Sequence, residues 1–135
     1  MDGFALIENL KYEDPGQISA QTLAYIGDAV YELYVRGRLI SKGIRNSKQL
    51  HAAKVVYAKA SAQREAYDKI YDMLDGNERS IASRGRNAKS GSVPKNADPS
   101  DYSHATAFEA VIGYLYLKND RKRLMELLES AVGEV

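Results

Sequence analysis

Apolar residues recur along most of the chain at three- and four-residue steps, the spacing that places side chains on one face of an α-helix. One such run follows Ser19, a favourable N-cap residue, and continues until Gly43. No strand-like alternation extends beyond a few residues. The pattern therefore predicts an all-α fold, in which the first long helix buries a stripe formed by Leu23, Ile26, Val30, Leu33 and Tyr34.

The remaining pattern divides the chain into further helices. They are predicted over residues 3–11, 48–75, 78–84, 104–118 and 121–132. The long stretch at 48–75 is expected to kink near residues 58–61 and to end at Asp75, Gly76 and Asn77. Residues 84–102 are rich in Gly, Ser, Asn and Pro, which predicts a loop.

Composition narrows the class of protein. A chain of 135 residues suits one domain, 1–135, and the absence of cysteine excludes disulfides and thiolate metal sites. The opening MDGFALIENL is acidic and lacks the apolar run of a secretory signal. No stretch approaches the roughly 18 apolar residues of a membrane span. We therefore expect a soluble, cytoplasmic protein with no membrane partner.

Two acidic residues lie beside apolar helical stripes. Asp28 follows Gly27 near the middle of the first long helix, and Glu109 follows Phe108 in the helix predicted over 104–118. Either acid alone could form a structural ion pair. Together, two carboxylates on different helices could share Mg²⁺, which proteins hold through one or two carboxylates plus water and substrate phosphate.

A basic segment lies between these acids. The chain is nearly neutral, with 19 basic and 18 acidic residues, yet residues 79–95 contain no acid and five basic residues: Arg79, Arg84, Arg86, Lys89 and Lys95. Such a cluster is the usual footprint of phosphate binding, although a basic loop can also be a solvated surface. If this segment holds a phosphate backbone next to a metal bound by the two acids, the expected reaction is hydrolysis of a phosphodiester.

Two segments resemble the motifs of the ribonuclease III family. LAYIGDAVYELYVRGRLI, residues 23–40, resembles the family's signature helix, E-x-L-E-F/W-L-G-D-A-V. ATAFEAVIGYLYL, residues 105–117, resembles its second motif, D-x-F-E-A-L-I/V-G-A-I/V-Y-L-D. The resemblance covers residues 18–130. The short chain and the segment RGRNAKSG resemble the Mini-III branch, which lacks the usual double-stranded-RNA-binding domain.

The resemblance implies that Asp28 and Glu109 are metal ligands and catalytic residues, with Mg²⁺ as the cofactor. Half of the family's acidic cluster is absent, because the second glutamate of the signature falls on Ala24 and the aspartate of the second motif falls on Thr106. The first glutamate of the signature falls on Gln21. Thr106 could still orient a metal-bound water through its hydroxyl group. We expect an active enzyme with a reduced set of carboxylates.

The resemblance also implies contacts with a partner subunit and with RNA. In the family the signature helix lies at a two-fold dimer interface, so the candidate interface residues are Ile26, Gly27, Val30 and Tyr34. Burial inside one subunit is the alternative for Ile26, Val30 and Tyr34. The candidate contacts to duplex RNA are Arg84, Arg86, Asn87 and Lys89.

The expected function is that of a homodimeric, Mg²⁺-dependent endoribonuclease that cuts double-stranded RNA and leaves 5′-phosphate ends. The Mini-III resemblance implies maturation of precursor large-subunit (23S) ribosomal RNA, and leaves open a ribosomal protein as an accessory partner. One alternative is a catalytically inert duplex-RNA-binding module of the same fold, for which Ala24 and Thr106 are the argument. Another is a helical protein-interaction domain, which predicts no salt-dependent affinity for RNA.

Overall fold

A computed structural model describes residues 10, 12–88, 93 and 95–133. Its helices are α1 (Ala20–Ser41), α2 (Ser47–Ala58), α3 (Ala60–Ile70), α4 (Gly76–Arg86), α5 (Pro99–Leu117) and α6 (Arg121–Val132), with single 3₁₀ turns at Pro15–Gln17 and Tyr71–Met73. No strand occurs in this part of the chain, which confirms the all-α prediction. The helix predicted over residues 3–11 falls almost wholly outside it. None of the helices described is long and apolar enough to cross a membrane.

Helix α5 is the centre of the fold, and α1, α3, α4 and α6 all pack against it. Most of its residues between Ala105 and Leu115 are buried, as expected of a helix that is apolar on nearly all sides. Phe108 packs edge to face with Tyr31 of α1, with 5.1 Å between ring centroids. Because α5 carries Glu109, the core holds the backbone of this residue in place.

Helices α1 and α5 approach each other backbone to backbone at two glycines. A Cβ atom on Gly27 would overlap the carbonyl oxygen of Glu109, and one on Gly113 would overlap the carbonyl oxygen of Leu23. Leu23 lies one turn before Gly27, and Gly113 lies one turn after Glu109, so the two helices run antiparallel at this crossing. Glycine is required at position 27 because α1 rests on α5 of the same chain. The close neighbour of Gly27 is thus α5 of its own subunit, where the resemblance had suggested the partner subunit.

The buried face of α1 differs from the predicted stripe. Leu23 and Tyr31 are buried, but Leu33 is 65% exposed, contrary to the prediction. Val30 and Tyr34 are half-buried at the edge of the core. Helix α1 carries more apolar residues than α5 can cover, so an apolar surface remains on its outer side.

The long helix predicted over residues 48–75 is interrupted at Lys59. The extended backbone of Lys59, with ψ 154°, ends α2 and begins α3, which confirms the predicted kink. The predicted stop at Asp75 is instead the start of α4. Asp75 and Glu78 form a capping box, in which each side chain accepts a hydrogen bond from the other's backbone N–H.

Candidate active site

Asp28 of α1 and Glu109 of α5 line two adjoining surface cavities. They come together because α1 and α5 are in close backbone contact at Gly27 and Glu109. The first cavity, of about 640 Å³, also borders the beginning of α3, and the second, of about 750 Å³, lies beside α1, α4 and α5. Tyr102 and Thr106 line both cavities as well. The fold thus unites the two acids that the sequence placed in separate motifs.

The two carboxyl groups have different surroundings. Asp28 is exposed, whereas Glu109 is half-buried. Burial of Glu109, together with hydrogen bonding to Asp28 and the charge of Asp28, raises the pKa of Glu109 from 4.5 to about 9. Glu109 is therefore protonated at neutral pH when no cation is bound. Two neighbouring carboxylates repel each other when both are ionised, so a bound cation at this position would be stabilised by their negative charges.

The donor groups fit a divalent cation that retains most of its water. Two carboxylates, completed by water and by substrate phosphate, form a coordination that Mg²⁺ accepts. The described residues contain no cluster of three or more His, Cys, Asp or Glu side chains that could hold a metal. Ala24, where the family pattern has a glutamate, is buried. Among the described residues, no third acidic side chain therefore joins Asp28 and Glu109 in a metal-binding cluster.

Two polar neighbours of the carboxylates already have partners. The hydroxyl group of Thr106 donates to the carbonyl oxygen of Tyr102 at 3.0 Å, one turn earlier in α5. Thr106 lines both cavities, and its hydroxyl oxygen remains able to accept a hydrogen bond. Glu32, one turn after Asp28, pairs with Lys54 at 3.1 Å.

Arg84 has a structural role that the sequence did not suggest. Its guanidinium group donates to the carbonyl oxygens of Gly16 and Ile18, at 2.9 and 2.5 Å. The side chain therefore fastens the segment before α1 to the end of α4. Both terminal nitrogens of Arg84 are thus engaged within the protein, and its predicted contact with RNA stays a prediction.

The other basic residues of segment 79–95 also differ in their surroundings. Arg79 lies over the ring of Tyr71, with 4.7 Å to the ring centroid. Arg86 and Asn87 are exposed at the end of α4. Lys89 lies outside the described residues. Of the four predicted RNA contacts, Arg86 and Asn87 are thus the ones placed on an open surface.

Two residues of the cavity wall escaped the sequence analysis. Lys59 is exposed at the break between α2 and α3, and it lines the first cavity together with Lys95. Gln63, one turn further along α3, is 2% exposed and lines the same cavity. The sequence feature that could have pointed to these two residues was the kink predicted near residues 58–61, because a break between helices leaves backbone groups that need hydrogen-bond partners.

Known proteins resemble this chain over most of its length. The family model for the Ribonuclease III domain matches residues 21–120. The chain is 47% identical over 118 residues to Mini-ribonuclease 3 of Brevibacillus brevis, covering 87% of this chain and 88% of that protein. It is 43% identical over 125 residues to Mini-ribonuclease 3 of Thermoanaerobacter sp., covering 93% and 88%. A crystal structure of a Fusobacterium nucleatum protein has a TM-score of 0.78 and 30% identity, covering 87% of this chain and 94% of that one.

The chain therefore belongs to the ribonuclease III family. The protein is an endoribonuclease of that family, whose members are generally metal-dependent and act on double-stranded RNA. These findings confirm the resemblance predicted from the two motifs. The matched range contains both Asp28 and Glu109, and it leaves no support for the interpretation as a protein-interaction domain.

Proposed function

We propose that the protein is a homodimeric, Mg²⁺-dependent enzyme that hydrolyses double-stranded RNA at Asp28 and Glu109 and matures precursor 23S ribosomal RNA. The observation that carries the proposal is the meeting of these two acids, one from each family motif, in a cavity lined by lysines. The name shared by the relatives, Mini-ribonuclease 3, supports RNA as the substrate. The ribosomal precursor is proposed from the resemblance to the Mini-III branch.

In this proposal Asp28 and Glu109 hold the cation. When bound, Mg²⁺ supplies charge neutralisation and Lewis-acid activation for hydrolysis of the phosphodiester. Glu109 gives up its proton as the cation binds, because its raised pKa keeps it protonated beforehand. Packing of α5 in the core limits movement of Glu109, so little reorganisation is needed during the reaction.

Lysines at the cavity rim are proposed to bind RNA phosphates. Lys59 and Lys95 are exposed and line the same cavity as the two acids, so a strand crossing this cavity would pass near both lysines. Arg86, Asn87 and Lys89 would extend the contact along the duplex. Double-stranded RNA is recognised mostly by shape and by its phosphates, for which such a surface is suited.

A second subunit is proposed to cover the outer face of α1. Tyr25 is 82% exposed on this face, and Leu33 is 65% exposed two turns later. Ile26, Val30 and Tyr34 are half-buried beside them. Contiguous exposed apolar side chains of this size commonly mark a protein interface. Two subunits related by a two-fold axis would bring two sites to one duplex, one for each strand.

A comparison of nucleic acids tests the proposed reaction. Pure protein is incubated with a long duplex RNA, the corresponding single strands, and a duplex DNA of the same sequence, with Mg²⁺ or with EDTA. We expect cleavage of the duplex RNA alone, only with Mg²⁺, and 5′-phosphate ends. Cleavage that persists in EDTA, or that prefers single strands, contradicts the proposal. A transcript spanning the ends of 23S ribosomal RNA should be cut at fixed positions.

A further inference from the structure

Gln63 is a polar side chain buried in the wall of the active-site cavity. It is 2% exposed and lines this cavity with Asp28 and Glu109. Its Nε2 donates to the carbonyl oxygen of Ala58 at 3.1 Å. Ala58 is the last residue of α2, where carbonyl groups lack intrahelical partners. The bond therefore satisfies the end of α2, and it fixes which end of the amide faces Ala58.

The other end of the amide has no partner in the described part of the protein. Gln63 Oε1 is buried, and no donor reaches it there. An unpaired buried oxygen costs about 1–3 kcal/mol, and such groups are uncommon in native proteins. Turning the amide around would not help, since two oxygens would then face each other at Ala58. Gln63 lines the cavity, so a water molecule there is a suitable donor for this oxygen.

Gln63 also contacts the acid that the proposed reaction uses. Gln63 and Glu109, which lies on α5, line the same cavity, and hydrogen bonding by the Gln63 side chain lowers the pKa of Glu109. The amide thus joins the break between α2 and α3 to one of the two carboxylates. A leucine or methionine would fill a similar volume. Packing alone therefore gives no reason for a glutamine at this position.

We infer that Gln63 is a positioning residue of the active site, which orients Glu109 through its amide nitrogen and accepts, at Oε1, a hydrogen bond from water that enters with the divalent cation. The inference rests on the proposed function, because it assumes a cation between Asp28 and Glu109. Residues that orient metal ligands in this way typically contribute 10–100-fold to metal affinity or activity.

Three substitutions at this position test the inference. Gln63→Leu and Gln63→Met remove both polar atoms at similar volume, and Gln63→Glu keeps an oxygen while adding a charge. Glu65→Gln, at an exposed position of the same helix, is the control. The readouts are the affinity for Mn²⁺ without RNA, from the electron paramagnetic resonance of free Mn²⁺, the melting temperature in EDTA, and cleavage of duplex RNA against Mg²⁺ concentration.

We expect the substitutions to change Mn²⁺ affinity in opposite directions. Gln63→Leu and Gln63→Met should melt close to the wild type, because the lost hydrogen bond is offset by removal of the unpaired oxygen. They should bind Mn²⁺ about tenfold more weakly or worse, with cleavage partly recovered at high Mg²⁺. Gln63→Glu should bind Mn²⁺ more tightly, since it adds a third carboxylate. If Gln63 had a purely structural role, the variants would have lower melting temperatures, and their Mn²⁺ affinities would not change in opposite directions.

The outcomes separate this inference from the proposed function. Wild-type Mn²⁺ affinity in all three variants, beside a wild type that cuts RNA, overturns the role of Gln63 and leaves the function standing. If the leucine and methionine variants do not fold, Gln63→Glu decides, since unchanged Mn²⁺ affinity overturns the inference and tighter binding supports it. A wild-type protein that neither binds Mn²⁺ nor cuts RNA contradicts the proposed function, and the inference with it.

Discussion

Asp28 and Glu109 share a cavity but differ in their exposure to solvent. Asp28 is open to water on α1, whereas Glu109 is half-buried on α5 beside it. Burial and the neighbouring Asp28 raise the pKa of Glu109 to about 9, so a proton occupies the place that a cation would take. Binding of a divalent cation should therefore release a proton and strengthen as the pH rises.

Replacement of Glu109 by glutamine is expected to stabilise the metal-free protein at alkaline pH. In the unfolded chain Glu109 ionises near 4.5, and in the folded state near 9. Between these values the unfolded state binds fewer protons, so the stability of the wild type falls as the pH rises. Glu109→Gln removes this loss.

Thermal unfolding in EDTA at pH 5 and pH 8 measures this effect. The free energy of unfolding of Glu109→Gln should exceed that of the wild type by about 1 kcal/mol or more at pH 8, and by less at pH 5. Glu65→Gln, at an exposed position, is the matched control. An equal difference between Glu109→Gln and the wild type at both pH values contradicts the protonated state assigned to Glu109.

Lysines at the cavity rim should contribute to RNA affinity through charge. Lys59→Ala and Lys95→Ala each remove one proposed phosphate contact, so each should weaken binding of duplex RNA in EDTA. Each should also reduce the slope of log affinity against log salt concentration by about one. Lys122→Ala, at an exposed position of α6, should leave the slope unchanged. If both rim variants show the wild-type slope of log affinity against log salt concentration, these lysines do not contact RNA phosphates.

The sequence could identify the two acids but not the residues that surround them. Asp28 and Glu109 stand in motifs that are recognisable without a structure. The relevance of Lys59 and Gln63 depends on the break between α2 and α3, which turns the start of α3 toward the cavity. Arg84 and Arg86 look alike in the sequence. Only tertiary packing directs Arg84 to the segment before α1 and leaves Arg86 exposed.

At the scale of helices, the crossing of α1 and α5 builds the site, and Gly27 is its critical position. Gly27→Ala should force the helices apart, because its Cβ would overlap the Glu109 carbonyl oxygen. We expect a loss of about 3 kcal/mol in the free energy of unfolding, together with loss of cleavage. Gly37→Ala is the control in the same helix, since nothing lies within 4 Å of its Cβ.

Urea-induced unfolding of both glycine variants tests the crossing. Gly37→Ala should be neutral or should stabilise the protein by up to about 1 kcal/mol, because alanine favours a helix more than glycine. If Gly27→Ala unfolds at the same urea concentration as Gly37→Ala, the helices are not in the close contact described.

Helix boundaries show where local patterns gave the wrong answer. Asp75 and Gly76 resemble a helix stop, but Asp75 caps the start of α4 through Glu78. Pro99 suggested a loop, yet it occupies the first turn of α5, where the fixed φ of proline suits a helix. Residues such as Asp, Gly and Pro are common both in turns and at the starts of helices. Whether such a residue ends one helix or begins the next depends on whether the residues after it are helical.

At the scale of the whole molecule, the exposed face of α1 predicts how the protein assembles. Leu33→Glu places a charge on this face without altering the cavity, because Leu33 does not line it. We expect this variant to be monomeric and to cut both strands of a duplex far less efficiently. Val56→Glu, at a position 58% exposed on α2, should remain dimeric. Sedimentation equilibrium measures the mass, and a dimeric Leu33→Glu contradicts the proposed interface.

Cleavage of a long duplex RNA with Mg²⁺ by the wild type, Asp28→Asn and Glu109→Gln tests whether these two carboxylates form the catalytic site. All three proteins are first shown to be folded and to bind the duplex in EDTA. We expect the wild type to cut and each variant to be slower by about a hundredfold or more, since each loses a proposed ligand of the cation. Wild-type cleavage by either variant, or a wild type that binds duplex RNA without cutting it, would contradict the proposed roles of Asp28 and Glu109.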